Sequence, residues 1–435
     1  MTARALRGEL LWFEDDPRAS HNAYRHLRDG VILVERGRIA AVGEASSLLP
    51  DLSPDTRVDD WRGRLILPGF IDAHAHYPQT DIIASYGEQL LAWLERYTFP
   101  MERRFDDPQV ARETADFFLA ELLRNGTTGA AVFATVHPES VEAIFAAASA
   151  RNMRIAAGKV LMDRNCPEYL RDTAQSGYDE SLALIRRWHG KARLSYAVTP
   201  RFAPTSTEAQ LDAAAALYRN HPGVLMQTHV AENRAEVAWV RELFPSSRSY
   251  LDVYDRHGLL GPRAVLAHGI WLDGADRARL AEAGAAIAFC PSSNMFIGSG
   301  LFSCAGARAA GMRVALATDV GGGTGFSMLR TMHEAYKVAQ LAGESFTALD
   351  GFYLATLAGA RALGTDALVG SITPGHEADL VVLDPRATPL MARRDARAES
   401  LEDRLFALMM LGDDRAVGAT YVFGEPAWRR GEIRI

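Results

Sequence analysis

The run LILPGFIDAHAH (65–76) is the most informative segment of this 435-residue chain, because it is nearly all apolar and ends in two histidines. Seven more short apolar runs follow it. Near-continuous apolar strands are typical of a parallel sheet that is covered by helices. The runs are TGAAVFAT (128–135), RIAAGKVL (154–161), RLSYAVTP (193–200), GVLMQTHV (223–230), AVLAHG (264–269), AAIAFCP (285–291) and RVALATDV (313–320).

The segments between these runs have helical periodicity, as in VARETADFFLAELLRNG (110–126) and STEAQLDAAAALYRNH (206–221). Eight β/α units in about 250 residues predict a (β/α)8 TIM barrel. An open, doubly wound α/β sheet is the alternative, but it usually has fewer strands and often a glycine fingerprint after the first one. No GxGxxG follows any of the eight runs, so the pattern favours the barrel.

Both ends of the chain are rich in β-strand patterns. RDGVILVERGRIAAVGEA (28–45) predicts a hairpin that turns at Glu35-Arg36-Gly37, and HEADLVVLD (376–384) and RAVGATYVFGEPAWRRGEIRI (415–435) predict further short strands. Chain ends often lie close together in compact proteins. We therefore predict a small β-sandwich made of residues 1–66 and 372–435, with the barrel, 67–371, between its two parts.

Composition excludes several classes of function. The formal net charge of -7, with no block of five like charges, argues against binding to duplex nucleic acid. No apolar run reaches 18 residues and the first residues lack a signal-peptide core, so we expect no membrane span. The three cysteines, Cys166, Cys290 and Cys304, are typical of a reduced set of thiols. We expect a cytoplasmic protein.

Five polar residues follow the predicted barrel strands at their carboxyl ends: His74 and His76 on the first, His229 on the fifth, His268 on the sixth and Asp319 on the eighth. In a barrel these ends form one rim, where active sites lie. Because alternate strand residues point to the same face, both members of the His-x-His pair can face inward and bind one ion.

A nitrogen and oxygen donor set of this kind suits Zn²⁺, with Fe²⁺ possible, and leaves room for a water that the ion activates near neutral pH. Each residue alone has another interpretation. A histidine at a strand end is usually a satisfied polar group, and Asp319 could cap the next helix. Placement of all five on one rim favours the metal site.

These residues resemble the amidohydrolase superfamily, in which a PGFIDAHAH-like segment (68–76) opens the barrel. GVILVERGRIAAVG (30–43) and GSITPGHEADLVVLD (370–384) resemble the two-part β-sandwich of that superfamily. Shorter blocks resemble the guanine deaminases within it, although HVAEN is shared with other purine and pyrimidine deaminases. The blocks are HYPQ (76–79), GKVLMD (158–163), TPRFAPTST (199–207), HVAEN (229–233), SSNMFIGSG (292–300) and TDVGGGTGFSML (318–329).

The resemblance implies hydrolysis of guanine to xanthine and ammonia in purine catabolism, with one zinc ion per subunit bound by His74, His76, His229 and Asp319. It implies that Asp319 also takes a proton from the attacking water. His268 would orient that water or contact the ion weakly.

The resemblance also gives Glu232 the task of moving a proton to ring atom N3 and then toward the leaving amine. Attack at C2 pushes electrons onto a ring nitrogen, and a carboxylic acid there protonates it. Two carboxylates with different roles suit this reaction. The alternative for Glu232 is a surface carboxylate at the start of the helix ENRAEVAWVREL (232–243).

Guanine itself is expected to contact Gln79, Arg201 and Phe202, together with Glu232, His268 and Asp319. Arginine is a planar donor of several hydrogen bonds that suits the acceptors O6 and N7, and a glutamine amide can both donate and accept. As alternatives, Gln79 is a plain loop residue and Arg201 pairs with an acid. The glycines at 321–323 are expected to allow close backbone approach rather than phosphate binding, so GMP should be a far worse substrate than guanine.

The segment TDIIASYGEQLLAWLERYTFPMERRF (80–105) is long for a loop after a barrel strand. We predict that it covers the site and takes part in a homodimer interface. Two other functions stay open from the sequence. One is a related ring deaminase that acts on 8-oxoguanine, cytosine or a triazine, and the other is a non-catalytic scaffold, which typically lacks such ligands.

Overall fold

A computed structural model describes residues 3–20 and 22–432 of the chain. Its strands, in chain order, are β1 (Arg4–Phe13), β2 (Tyr24–Glu35), β3 (Arg38–Glu44), β4 (Arg57–Pro68), β5 (Phe70–His76), β6 (Thr127–Phe133), β7 (Arg154–Gly158), β8 (Val160–Leu161), β9 (Ser195–Pro200), β10 (Leu225–Val230), β11 (Ala264–His268), β12 (Ala286–Phe289), β13 (Arg313–Leu316), β14 (Leu380–Leu383), β15 (Val417–Val422) and β16 (Glu425–Arg429).

The helices alternate with the strands through the centre of the chain. They are α1 (Ala45–Leu48), α2 (Leu90–Trp93), α3 (Phe99–Glu102), α4 (Pro108–Arg124), α5 (Pro138–Ala150), α6 (Ala174–Trp188), α7 (Glu208–Asn220), α8 (Arg234–Leu243), α9 (Tyr250–Arg256), α10 (Gly274–Ala283), α11 (Pro291–Phe296), α12 (Cys304–Ala309), α13 (Met328–Leu341), α14 (Ala348–Leu354), α15 (Leu357–Ala362), α16 (Pro389–Asp395) and α17 (Leu401–Leu411). Among the described residues, none of these helices is long and apolar enough to cross a membrane.

The predicted TIM barrel is confirmed. Its parallel strands pair in the order β5-β6-β7-β9-β10-β11-β12-β13, with the short β8 paired to β9, and each predicted apolar run coincides with one of these eight strands to within a few residues. Alanines dominate the barrel interior, as in the cluster formed by Ala73, Ala131, Ala197, Ala267 and Ala288, whereas the larger apolar side chains pack between strands and helices. Small interior residues leave room for the polar side chains at the rim.

The seam between the first and last barrel strands closes next to the site. The N–H of Asp319 donates to the carbonyl of His74 (2.9 Å), and the N–H of His76 donates to the carbonyl of Val320 (2.6 Å). The eighth apolar run extends to residue 320, but β13 ends at Leu316. The backbone of Asp319 is left-handed, with φ of 52°, which is incompatible with a regular strand and turns the chain toward β5.

The predicted β-domain from both ends of the chain is also confirmed, and its strands form one mixed sheet in the order β16-β15-β14-β4-β1-β2-β3. The central β4 runs parallel to β1 and antiparallel to β14. The predicted hairpin joins β2 to β3 through Arg36 and Gly37, both with positive φ. The last strand of the first part, β4, continues to Pro68. The domain limits at 66 and 372 stay predictions.

Candidate active site

The four predicted metal ligands lie together at the rim of the barrel. Their ligand atoms all lie within 4.8 Å of one another, and His74, His76 and Asp319 are buried while His229 is partly buried. The Nε2 atom of His76 is 3.1 Å from that of His74 and 3.2 Å from that of His229. Asp319 places Oδ1 3.2 Å from Nε2 of His74. The strand ends thus direct three imidazole nitrogens and one carboxylate oxygen at a common point.

Hydrogen bonds on the far side of two rings orient them toward that point. The Nδ1 atom of His229 lies 2.7 Å from the carbonyl oxygen of Arg201, and Nδ1 of His268 lies 2.8 Å from Oδ1 of Asn294. Because both partners accept, each Nδ1 carries the hydrogen. His229 is neutral, so its Nε2 presents a lone pair to the site. Such partners fix the tautomer and orientation of metal-binding histidines.

The chemistry of this donor set fits a divalent cation. Burial, reinforced by the neighbouring histidines, lowers the pKa of His76 and of His229 well below the usual value, so both rings are neutral. Neutral imidazoles whose lone pairs converge beside a carboxylate repel one another unless a cation lies among them. Three nitrogens and one oxygen match the donors that zinc and ferrous iron prefer. These four residues could therefore hold a metal ion.

Glu232 is buried beside this cluster, with only 2% of its surface exposed, so it is no surface carboxylate. Its Oε1 accepts a hydrogen bond from the hydroxyl of Ser299 (2.9 Å), and its Oε2 lies 3.3 Å from Nε2 of His268. Burial raises the pKa of Glu232 to about 7, against a partial offset from His268. A carboxyl group with such a pKa can both give and take a proton at neutral pH.

A small cavity opens over the cluster. The six predicted substrate-contact residues all line it, together with residues of the segment 80–105. Its walls are formed by His76, Gln79, Leu90, Trp93, Leu94, Thr98, Arg201, Phe202, His229, Glu232, His268, Ser293, Ile297, Asp319 and Gly322. The predicted cover over the site is thus present, whereas its part in a dimer stays a prediction.

Arg201 lines the cavity and also pairs with an acid, so the two interpretations do not exclude each other, and its contact with guanine stays a prediction. Its Nη1 donates to both carboxylate oxygens of Glu102, at 2.9 and 2.7 Å. The Nε2 of Gln79 lies 3.3 Å from the same carboxylate. The sequence did not single out Glu102, because no local pattern links it to Arg201, which lies 99 positions later.

Phe133 is a second residue that the sequence did not single out. It ends β6, and its ring centroid lies 4.8 Å from that of His74, 4.6 Å from that of His76 and 4.9 Å from that of His229. One fully buried phenyl ring therefore packs against all three histidine ligand candidates. Its only sequence signal is its place at the end of a barrel strand, which it shares with many core residues.

The glycine loop after β13 allows close backbone approach, as predicted. A Cβ atom at Gly321 would lie 2.4 Å from the carbonyl oxygen of Gln79, and one at Gly323 would lie 1.8 Å from that of Thr318. Real Cβ atoms do not tolerate such distances. Glycine at these positions therefore lets the loop pack directly against the strand end that carries the site.

Comparisons with known proteins agree with this architecture. Residues 65–427 match the amidohydrolase family. The chain is 49% identical over 432 residues to the guanine deaminase of Escherichia coli (strain K12), which covers 99% of this chain and 98% of that protein. The solved structure of E. coli guanine deaminase has a TM-score of 0.96 at 48% identity and covers 98% of this chain and 100% of its own.

A further solved structure is that of guanine deaminase from C. acetobutylicum with guanine bound in its active site. It has a TM-score of 0.89 at 28% identity, and the match covers 98% of this chain and 100% of that one. The similarity extends over the barrel and the sheet from both chain ends alike.

Proposed function

This chain belongs to the amidohydrolase family, and we infer that it is a guanine deaminase, a hydrolase that uses water to convert guanine to xanthine and ammonia. The observation that carries this function is a single cavity with two kinds of wall. One kind holds the cluster of possible metal ligands with Glu232, and the other presents Arg201 and Gln79 to a polar heterocycle.

We propose that His74, His76, His229 and Asp319 bind one zinc ion per subunit, for which ferrous iron is the alternative. When bound, such an ion lowers the pKa of a water molecule to about 7 and so supplies a nucleophile at neutral pH. The convergence of the four donor atoms and the neutral state of the rings support this assignment.

The protein's own groups move the protons. A carboxylate oxygen of Asp319 takes the proton of the attacking water, and Nε2 of His268, which Asn294 orients, positions that water by a hydrogen bond. Glu232 gives its proton to N3 of the ring as C2 becomes tetrahedral. The proton that Asp319 took from the water then passes through Glu232 to the leaving amine, and the hydroxyl proton at C2 restores Glu232 as the C2 carbonyl forms. Ser299 holds one oxygen of Glu232 and leaves the other to face the site.

Recognition of guanine falls to Gln79, Arg201 and Phe202. Arg201 donates to O6 and N7 of the base, Gln79 bonds the ring edge beside them, and Phe202 adds apolar wall area. Leu90, Trp93 and Leu94 cover the cavity with apolar surface and offer no cation to a phosphate. Guanine should therefore be turned over far better than GMP.

The test is the loss of guanine and the release of ammonia by purified, zinc-loaded protein. Glu232→Gln should lower kcat by roughly 10²- to 10⁴-fold, the usual contribution of a positioned acid or base, with zinc still bound. Glu139→Gln is the matched control, since Glu139 is exposed and lies outside the cavity. A fully metallated wild type that leaves guanine intact would contradict the assignment. A substrate panel of 8-oxoguanine, cytosine and triazines would then show which heterocyclic amine the enzyme deaminates.

We also propose that the enzyme acts in purine catabolism as a cytoplasmic homodimer. All three cysteines are free, which suits a reducing compartment. The segment 80–105 carries Tyr86 with 79% of its surface exposed, which is consistent with an interface at that place. A monomeric mass by light scattering at micromolar concentration would contradict the dimer.

A further inference from the structure

Glu102 is a carboxylate with no exposed surface that stands behind two of the proposed guanine-binding side chains. It ends α3, within the segment that covers the cavity, and it does not line the cavity itself. Its oxygens accept two hydrogen bonds from Arg201 and one from Gln79. Any effect of Glu102 on the substrate therefore acts through these two residues.

The first consequence concerns the amide of Gln79. A carboxylate only accepts hydrogen bonds, so the amide nitrogen of Gln79 must face Glu102. The opposite atom, Oε1, accepts a hydrogen bond from no described residue, and Gln79 lines the cavity. Glu102 thereby fixes Gln79 as an acceptor toward the substrate.

The second consequence concerns the guanidinium group of Arg201. Glu102 engages only its Nη1, and the ring of Phe99, from the same short helix, lies 5.5 Å from its Cζ atom. In the part of the chain that the structure describes, Nε and Nη2 donate to no protein group. The covering segment thus fixes the plane of the guanidinium and leaves two of its nitrogens as donors.

A donor beside an acceptor matches one edge of guanine. The lactam edge presents the acceptor O6 next to the donor N1–H, whereas a purine without the 6-oxo group presents a bare N1 acceptor. We propose that Glu102 is a positioning residue that makes the cavity specific for the lactam edge, by holding Arg201 as donor and Gln79 as acceptor. This inference rests on the proposed function.

Glu102→Gln tests the proposal, since it keeps the shape of the side chain and turns half of its acceptor into a donor. The measurements are kcat and KM for guanine, and the inhibition constants of hypoxanthine, which has the lactam edge, and of purine, which lacks it. We expect KM for guanine and the constant for hypoxanthine to rise roughly 10- to 100-fold. The constant for purine, which keeps only N7 as an acceptor for Arg201, should rise much less. We expect kcat to change less than KM because the lost contact is present before and during reaction.

Asp350→Asn is the matched control. Asp350 is a buried partner of Arg18 and Arg308 and lies outside the cavity, so its loss should destabilise the protein without changing the ratio of the two inhibition constants. If Glu102→Gln does not fold, Glu102→Asp replaces it. That variant keeps the counter-charge of Arg201 but withdraws the carboxylate from Gln79, and should shift the ratio in the same direction by less.

The outcomes separate the two proposals. A wild type that does not convert guanine overturns both the proposed function and this inference. A wild type that does, combined with a folded Glu102 variant that keeps the wild-type ratio of hypoxanthine to purine inhibition, overturns the positioning role alone. A Glu102 variant with a changed ratio of hypoxanthine to purine inhibition and a largely unchanged kcat supports the positioning role. A purely structural defect would lower the folded fraction and leave that ratio unchanged.

Discussion

We expect Phe133→Ala to weaken metal binding as well as the fold. The phenyl ring is fully buried and contacts the rings of His74, His76 and His229. Deleting a buried phenyl ring costs about 3–5 kcal/mol of stability. The three imidazoles would also regain side-chain freedom worth roughly 0.5 kcal/mol each. Metal binding would have to remove this regained freedom of the three imidazoles, and the total cost corresponds to about tenfold weaker metal affinity.

The assay is competition for zinc against a chelator of known affinity, with thermal unfolding of the same samples. Phe145→Ala is the control: Phe145 is equally buried but lies on α5, where its aromatic partner is Trp188. It should lose comparable stability and keep the wild-type zinc affinity. Unchanged zinc affinity in Phe133→Ala, or an equal loss in both variants, would refute the idea that this ring preorganises the ligands.

Three further predictions concern the site and the stability of the fold. Asn294→Ala removes the acceptor that fixes the tautomer of His268, and should lower kcat/KM for guanine about 10- to 100-fold with metal content, measured by mass spectrometry, unchanged; full activity would show that the tautomer is set elsewhere. Removal of the metal with a chelator should abolish activity and lower the melting temperature seen by calorimetry, because the clustered donors lose their cation, and zinc should restore both; an unaltered melting curve would argue against a buried ion. Burial alone would raise the pKa of Asp350, but Arg18 and Arg308 outweigh it and lower the pKa to about 2. Since the folded pKa lies below the ordinary value, this stabilisation of about 2 kcal/mol is complete above about pH 5 and is lost as the pH falls toward 2. The stability difference between wild type and Asp350→Asn in urea titrations should shrink over that range, and a difference independent of pH would contradict the ionic origin.

The barrel and the metal cluster follow from regular features of the sequence. Strand runs bury both faces and so are apolar throughout, and the spacing of His74 and His76 reflects the two-residue repeat of a strand. A barrel then places all carboxyl ends of its strands on one rim, which brings His229 and Asp319 to the same point without any local signal between them. Regular geometry thus makes these distant contacts predictable.

The groups that support the site follow no such rule. Glu102 lies in an irregular segment that includes a π-helical turn, Leu94–Thr98, so its direction depends on loop geometry that has no period in the sequence. Phe133 resembles any other apolar strand residue. Asn294 and Ser299 acquire their roles from packing against His268 and Glu232, which only the assembled structure defines.

The pairing of β4 with β14 has a consequence for synthesis of the chain. One edge of β4 finds its partner in β14, about 310 residues further along. At the usual rate of translation, the backbone N–H and C=O groups along that edge of β4 stay unpaired for roughly 15 to 60 s before the ribosome synthesises β14. Open strand edges recruit other strands. Soluble yield on expression should therefore depend on how long nascent chains are shielded, by chaperones or by low temperature, and less on the stability of the finished barrel.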